Sequence, residues 1–478
     1  MKKTERKNRR GAQRQAMRAQ GRMSAKTAAK APHRSASLTA QQKPVPDTNF
    51  SSAQRNPSPE PHLVQIEKPI YGGAFLARVA GKAVFVPLAL PGEEARVRIV
   101  EEKRGYATAE LEETIAAAAG RVAPACPHFG ACGGCHYQHA SYAAQLGYKQ
   151  AILRETLARG GVCVPDEIAV VAGEPWGYRN RIRLAFDAKG NVGYRGRRSH
   201  AVIPVSACPI AAPLLLRAAL VASELTRALP AQTRPSEILL FCNTEETALL
   251  ASVTAAGGEK KQWQAFAVAL AEKVPATKGV KFSASGEPPR TIAHWGERSL
   301  VYRAAGHEYR VDQGAFFQVN RWLVDALAER ATAGHSGDLA WDLYAGVGLF
   351  ARRLADKFAR VVAVESAPPA KAALAHNLRG TMAEAVNAAT LDFLRGVGKK
   401  ERPELIVADP PRTGLGTETT TLLAAIAAPG LTYVSCDPAT LARDLRALIA
   451  SGYTIQSLAV ADLFPQTYHL ETVAQLRR

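Results

Sequence analysis

The sequence predicts an α/β protein with a doubly wound parallel sheet in its C-terminal third, preceded by a small β-barrel and a central α+β segment. Three observations predict it. From about residue 321 the apolar runs LAWDLYAG, RVVAVES, ELIVADPP and LTYVSCDP alternate with helical stretches, and each run ends in polar or turn residues. Residues 61–115 hold short β-branched runs broken by Gly, Pro and charged turns, a spacing that suits a five-stranded barrel of the OB type. Residues 116–320 mix both patterns. There the helical stretches YKQAILRETLAR and APLLLRAALVASELTRAL flank the basic, strand-rich passage GYRNRIRLAFDAKGNVGYRGRRSHAVIPV.

A chain of 478 residues exceeds one hydrophobic core, so four segments are expected: 1–60, 61–115, 116–320 and 321–478. The net charge is +19, and residues 1–60 carry +11 of it, from 14 Lys/Arg against 3 acidic residues. That segment is poor in large apolar residues and is expected to be a disordered arm drawn to nucleic-acid phosphates. A solubilising tail or an Arg/Ser-rich transit peptide would look similar. No run approaches 18 apolar residues, and MKKTERKNRR is not followed by an apolar stretch. The expectation is a cytoplasmic protein with no membrane partner, taken as a monomer.

In the central passage Lys189-Gly190-Asn191 reads as a hairpin turn. Its basic residues, interleaved with Tyr178, Phe186 and Tyr194, suit either an RNA backbone or the solvated face of a sheet.

Chemistry concentrates at the ends of the C-terminal runs, where ligands bind in such sheets. Asp342-Leu-Tyr-Ala-Gly346-Val-Gly348 is a glycine turn, and Glu365 ends the next strand, where a carboxylate can accept ribose hydroxyls. The third glycine of a dinucleotide fingerprint is missing, which favours an adenosyl ligand without pyrophosphate. Asp409-Pro410-Pro411-Arg412 forces the chain out of the sheet behind a carboxylate, which could instead only cap the next helix. Cys436 ends the run TYVSC, where a buried small hydrophobe is the simple alternative to a nucleophile. Cys126, Cys132 and Cys135, with Cys208 downstream, suit four-thiolate ligation of either a [4Fe–4S] cluster or zinc.

These residues, with RVDQGAFFQVN (310–320), WDLYAGVGLF, VADPPRTGL, YVSCDPATLARDL and DLFPQTYHLETV (462–473), resemble the RNA (uracil-5-)methyltransferases from about residue 63 to the C-terminus. The branch it resembles has an N-terminal TRAM barrel and an iron–sulfur cluster, typified by enzymes of 23S rRNA. The resemblance implies a class I S-adenosylmethionine-dependent fold that makes 5-methyluridine. It also implies Cys436 as nucleophile and Glu471 as base. Gln318, Tyr344, Glu365 and Asp409 would contact S-adenosylmethionine, and Cys126, Cys132, Cys135 and Cys208 would hold a [4Fe–4S] cluster.

RNA is the expected partner, rRNA first, with the T-loop uridine of tRNA as the rival. A non-catalytic RNA-binding or ribosome-assembly factor is the rival of another class; DNA cytosine methylation fits the motifs poorly. The chain departs from the pattern at Leu349, where the family usually has Asn, and at Asp437, where it has Asn after the nucleophile. A carboxylate there would raise the neighbouring thiol's pKa unless it points away or pairs with a cation.

Overall fold

In the computed structural model of the chain, residues 60–286, 290–397 and 401–478 are described. The basic arm expected over 1–60 lies, apart from Glu60, outside them. Among the described residues no helix is long and apolar enough to cross a membrane.

The barrel is built from β1 (His62–Gln65), β2 (Lys68–Pro69), β3 (Ala74–Val79), β4 (Lys82–Pro87), β5 (Glu94–Glu102) and β6 (Tyr106–Ala116). Its order is β1-β5-β6-β4-β3-β2, six strands where five were expected, the sixth being the two-residue β2. In β5 the small and β-branched residues Ala95, Val97 and Ile99 point inward, while Arg96 and Arg98 point out and pair with glutamates of β6.

Helix α1 (Tyr142–Arg159) and β7 (Ala169–Val171) follow. The central sheet then takes β8 (Arg181–Phe186), β9 (Val192–Arg195), β10 (Val202–Pro204), β11 (Pro235–Cys242), β12 (Leu249–Ala255), β13 (Thr277–Ala284) and β14 (Thr291–Gly296). They lie in the order β10-β9-β8-β11-β12-β13-β14. Helices α2 (Pro213–Arg227) and α3 (Lys260–Lys273) pack on it through Leu215, Ala219, Trp263 and Phe266. The turn at 187–191 joins β8 to β9 as a hairpin, with Asp187 accepting from the Lys189 and Asn191 amides at 2.9 and 2.8 Å. A two-stranded ribbon, β15 (Ser299–Ala304) and β16 (His307–Asp312), leads out of this region.

The C-terminal layer comprises α4 (Val324–Thr332), β17 (Gly337–Leu343), α5 (Leu349–Leu354), β18 (Phe358–Val364), α6 (Pro368–Asn377) and β19 (Ala383–Val386). It continues with α7 (Thr390–Val397), β20 (Leu405–Ala408), α8 (Gly416–Ile426), β21 (Gly430–Ser435), α9 (Pro438–Ala450), β22 (Thr454–Ala461) and β23 (Glu471–Arg477). Eight strands run β19-β18-β17-β20-β21-β23-β22-β7, parallel from β19 to β21 and antiparallel on both sides of β23.

Every residue of β20 and β21 is buried, as expected for strands covered on both faces. Val407 and Val434 pack into one core, and Ile406 and Tyr433 into the other. The edge strand β7 and the helix α1 come from the segment read as central, yet they lie on this layer. β7 pairs with β22, and Ile152, Leu153 and Leu157 of α1 pack with Leu441 and Leu445 of α9.

Candidate active site

Three adjacent strands bring three reactive side chains to one place. β20 ends at Ala408, and Pro410-Pro411 carry the chain out of the sheet just beyond Asp409. β21 ends at Ser435, whose cross-strand partner on β23 is Thr472. The same register sets Cys436, the next residue, opposite Glu471, the first residue of β23. Ala408 pairs with Tyr433, so Asp409 stands at the tip of the neighbouring strand. Glu471 is buried, with 6% of its surface exposed, while Cys436 and Asp409 are half-buried.

The electrostatics follow from that crowding. Burial, then the nearby Glu471 and Asp409 carboxylates, push the Cys436 thiol well above its usual range, and the Arg412 guanidinium opposes them. Burial, then Asp409, lift the Glu471 carboxyl well above the usual carboxylate range, again against Arg412. Asp409 is pushed up to about 7 by burial, opposed by the hydrogen bond that Gln318 Nε2 donates to its Oδ2 at 3.3 Å. Asp409 therefore does not simply cap a helix.

The cap of α9 is Asp437. Its Oδ1 accepts from the Ala439 and Thr440 amides at 3.0 and 2.9 Å, and Pro438 starts the helix. This turns the carboxylate toward the positive end of α9. Of the named influences on Cys436 it is the weakest, so the pKa penalty expected of it is small.

Beside these tips lies the glycine turn. Tyr344 (φ 64°), Gly346 (φ 56°) and Gly348 (φ 93°) all sit in the left-handed region. A side chain on Gly348 would strike Leu374, whereas open space lies over Gly346. Glu365 receives three backbone amides: Gly346 on Oε2 at 2.8 Å, and Ser366 and Ala367 on Oε1 at 2.7 and 2.5 Å. Gln318 is buried, and Tyr344 packs at the edge of the core. Leu349, where Asn was expected, is buried in the core.

Three residues at this site were not singled out in the sequence. Asp342 is fully buried; its Oδ2 accepts from the Ala351 amide at 2.8 Å, while its Oδ1 has no partner. It stands inside the glycine motif, so a signal was present. Arg412 follows the Pro-Pro turn and contacts His469 Nδ1 at 3.3 Å. Tyr71 of the barrel meets the Tyr468 ring edge-on at 5.7 Å and packs against both the barrel core and the core of the C-terminal sheet. Nothing local to Tyr71 marks it, because its neighbours are almost 400 residues away.

The four separated cysteines also come together. Cys126, Cys132, Cys135 and Cys208 line one cavity with His128, Arg179 and Tyr194, and all are free thiols. The Gly134 amide donates to Cys132 Sγ at 3.4 Å, and Tyr194 Oη lies 3.8 Å from Cys208 Sγ. Burial raises the Cys132 thiol to about 11 and the Cys135 thiol to about 12. Among the described residues no group of three or more His, Cys, Asp or Glu is arranged to hold a metal ion. Of the other two cysteines, Cys242 is buried and Cys163 is exposed.

The doubly wound sheet with its glycine turn and clustered tips defines a methyltransferase. The family described as tRNA (Uracil-5-)-methyltransferase matches residues 293–478, and the TRAM domain matches residues 62–111. The chain is 34% identical over 426 residues to the 23S rRNA (uracil(1939)-C(5))-methyltransferase RlmD of Halomonas elongata, covering 85% of this chain and 87% of the relative. It is 34% identical over 446 residues to the enzyme of the same name from Azoarcus sp., covering 86% and 99%. The solved structure of Pyrococcus abyssi tRNA (uracil-54, C5)-methyltransferase, in complex with S-adenosyl-L-homocysteine, shares the fold. Its TM-score is 0.70 at 24% identity, over 87% of this chain and 99% of that one. The chain belongs to the RNA (uracil-5-)-methyltransferase family and carries an N-terminal TRAM domain.

Proposed function

We propose that this protein methylates carbon 5 of one uridine in 23S rRNA through a covalent Cys436 adduct, with Glu471 as the base. The observation that carries the reading is the strand register that sets Cys436 opposite Glu471, with Asp409 at the adjacent tip.

Carbon 5 of uracil is a weak nucleophile. The Cys436 thiolate forms a bond to carbon 6, and the displaced electron pair makes carbon 5 enolate-like. S-adenosylmethionine, when bound, supplies the methyl group that carbon 5 takes up. The Glu471 carboxylate then removes the proton left on carbon 5. The freed pair restores the 5,6 double bond as the carbon–sulfur bond breaks and Cys436 leaves as thiolate. Arg412 offsets the negative charge collected around the thiol.

The cofactor fits the residues beside the tips. Glu365, already oriented by three amides, is placed for ribose hydroxyls, and open space lies over Gly346. The unpartnered Asp342 Oδ1, together with Gln318, Asp409 and Tyr344, completes a polar wall. The target base must leave its stack to reach Cys436. The TRAM barrel and the Arg-rich β9–β10 hairpin are the surfaces assigned to hold the RNA around it.

The four clustered thiols suit a [4Fe–4S] cluster. Such a cluster engages each thiolate through a different iron, so the sulfurs stand wider apart than around one zinc ion. Arg179 lies in the same cavity and would balance thiolate charge.

Whole-length relatives named as 23S rRNA enzymes favour rRNA over the tRNA T-loop. Mapping 5-methyluridine by mass spectrometry in total RNA, with and without the gene, tests the target. Loss at one 23S rRNA position is expected, and loss confined to tRNA would overturn the rRNA assignment.

A further inference from the structure

The segment Asp462–Leu470 leads directly into Glu471 and is fastened by groups distant in sequence. Lys149 of α1 and Asp462 form an ion pair with both side chains fully buried, and Lys149 Nζ also donates to the Phe464 carbonyl at 2.9 Å. Asn320 Nδ2 donates to the Leu463 carbonyl at 3.3 Å, and the Tyr178 hydroxyl donates to the Pro465 carbonyl at 3.0 Å.

The tightest grip is on Gln466. Its amide donates to Gln145 Oε1 at 2.9 Å, and Gln145 Nε2 returns a bond to Gln466 Oε1, also at 2.9 Å. Its carbonyl accepts from the amides of His136 and Tyr137 at 2.9 and 3.0 Å. Gln145 and Gln466 are both buried.

Gln466 also adopts φ 67°, a left-handed conformation that a non-glycine residue holds only when its surroundings enforce it. No stable local structure would choose this conformation; the partners at 136–137 and 145 impose it. His136 and Tyr137 follow Cys135, so the turn bearing three of the clustered thiols also bears the amides that hold the loop. The His136 ring meets the Tyr468 ring at 4.6 Å, a second contact between the same two segments.

We propose that Gln145 and the His136–Tyr137 amides are positioning groups for proton abstraction: through Gln466 they fix the 462–470 loop, and the loop sets the Glu471 carboxylate at carbon 5. The inference rests on Glu471 being the base. It separates the catalytic steps, because Cys436 sits on β21 and α9 and not on this loop. Thiol attack and methyl uptake precede the step that needs Glu471, so loosening the loop slows release of the product more than formation of the adduct.

The test is Gln145→Met, which keeps length and removes both bonds to Gln466. The full-length protein is given RNA containing 5-fluorouridine, whose adduct forms without proton abstraction, and in parallel uridine RNA with a methyl-labelled donor. Trapping on the fluorinated RNA is expected within about twofold of wild type. Release of methylated RNA is expected to fall about 100-fold, the scale of lost general-base catalysis, with labelled RNA accumulating on the protein. A second variant, Gln466→Gly, keeps the main-chain bonds and suits the left-handed φ; it is expected to release product normally.

Equal loss of trapping and release in Gln145→Met would show a general structural role and overturn the proposal. Wild-type release in Gln145→Met, or adduct accumulation in Gln466→Gly, would overturn it too. If the wild type forms no adduct at all, the assignment of Cys436 and Glu471 fails first, and the inference fails with it.

Discussion

Two sulfur-bearing regions can be compared within this molecule: the lone Cys436 at a strand tip, and the four-cysteine cavity about 300 residues earlier in the chain. Burial raises the thiol pKa in both. Their neighbours differ. Cys436 faces the carboxylates of Glu471 and Asp409 with Arg412 in opposition, whereas the four cysteines face one another, with Arg179 beside them. A thiol among thiols offers a ligand set, and a thiol opposite a carboxylate offers a nucleophile beside a base. Residue type alone does not separate the two uses; the second shell of charge does.

The sharpest way to break the comparison is to remove the carboxylate. Glu471→Gln is expected to keep adduct formation and lower product release by about 10² to 10⁴-fold, measured as methylated RNA retained on the protein. Serine substitutions at Cys126, Cys132, Cys135 or Cys208 should leave Cys436 able to trap 5-fluorouridine RNA in whatever fraction stays folded. Trapping that vanished with the fold intact would merge the two regions into one site.

The comparison is sharpened next by pH. Cys436 and Glu471 are both raised by burial, and both act deprotonated, so kcat/KM is expected to climb from about pH 6 to about pH 9, without the acid-side plateau of a low-pKa thiolate. Stability should run the other way. Glu471 has a folded pKa above its unfolded one, so the folded state binds the extra proton, and stability falls as pH rises through the folded value. Glu471→Gln should therefore raise Tm at alkaline pH and leave it little changed below the unfolded carboxylate pKa.

The smallest effect concerns Asp437. As the cap of α9 it is expected to contribute about 1 kcal/mol, read by denaturant unfolding of Asp437→Ala. The trapping rate should change by less than about twofold, because the carboxylate is committed to the Ala439 and Thr440 amides.

The parallel strands and their tips were legible in the sequence because each is a short apolar run ending in its own turn chemistry. Asp409, Cys436 and Glu365 each announce themselves beside a proline, a helix cap or the end of a β-branched run. The membership of β7 and α1 in the C-terminal layer was not legible. Their partners, β22 and α9, lie almost 300 residues onward, and a three-residue strand carries no periodicity of its own. β2 was missed for the same reason, being only two residues long. Asp342 was quoted within its motif without a role, since its burial and unpartnered Oδ1 exist only once α5 packs over the strand end. Gln466 was quoted too, but its left-handed backbone is a product of Gln145 and the cysteine turn, not of its own residue type.

The central claim, that Cys436 is the nucleophile, is tested most directly by peptide mapping of the complex trapped on 5-fluorouridine RNA. The account predicts one nucleotide linked to the peptide that contains Ser435-Cys436-Asp437, and no adduct from Cys436→Ala. An adduct on any other cysteine, or an undiminished adduct from Cys436→Ala, would contradict it.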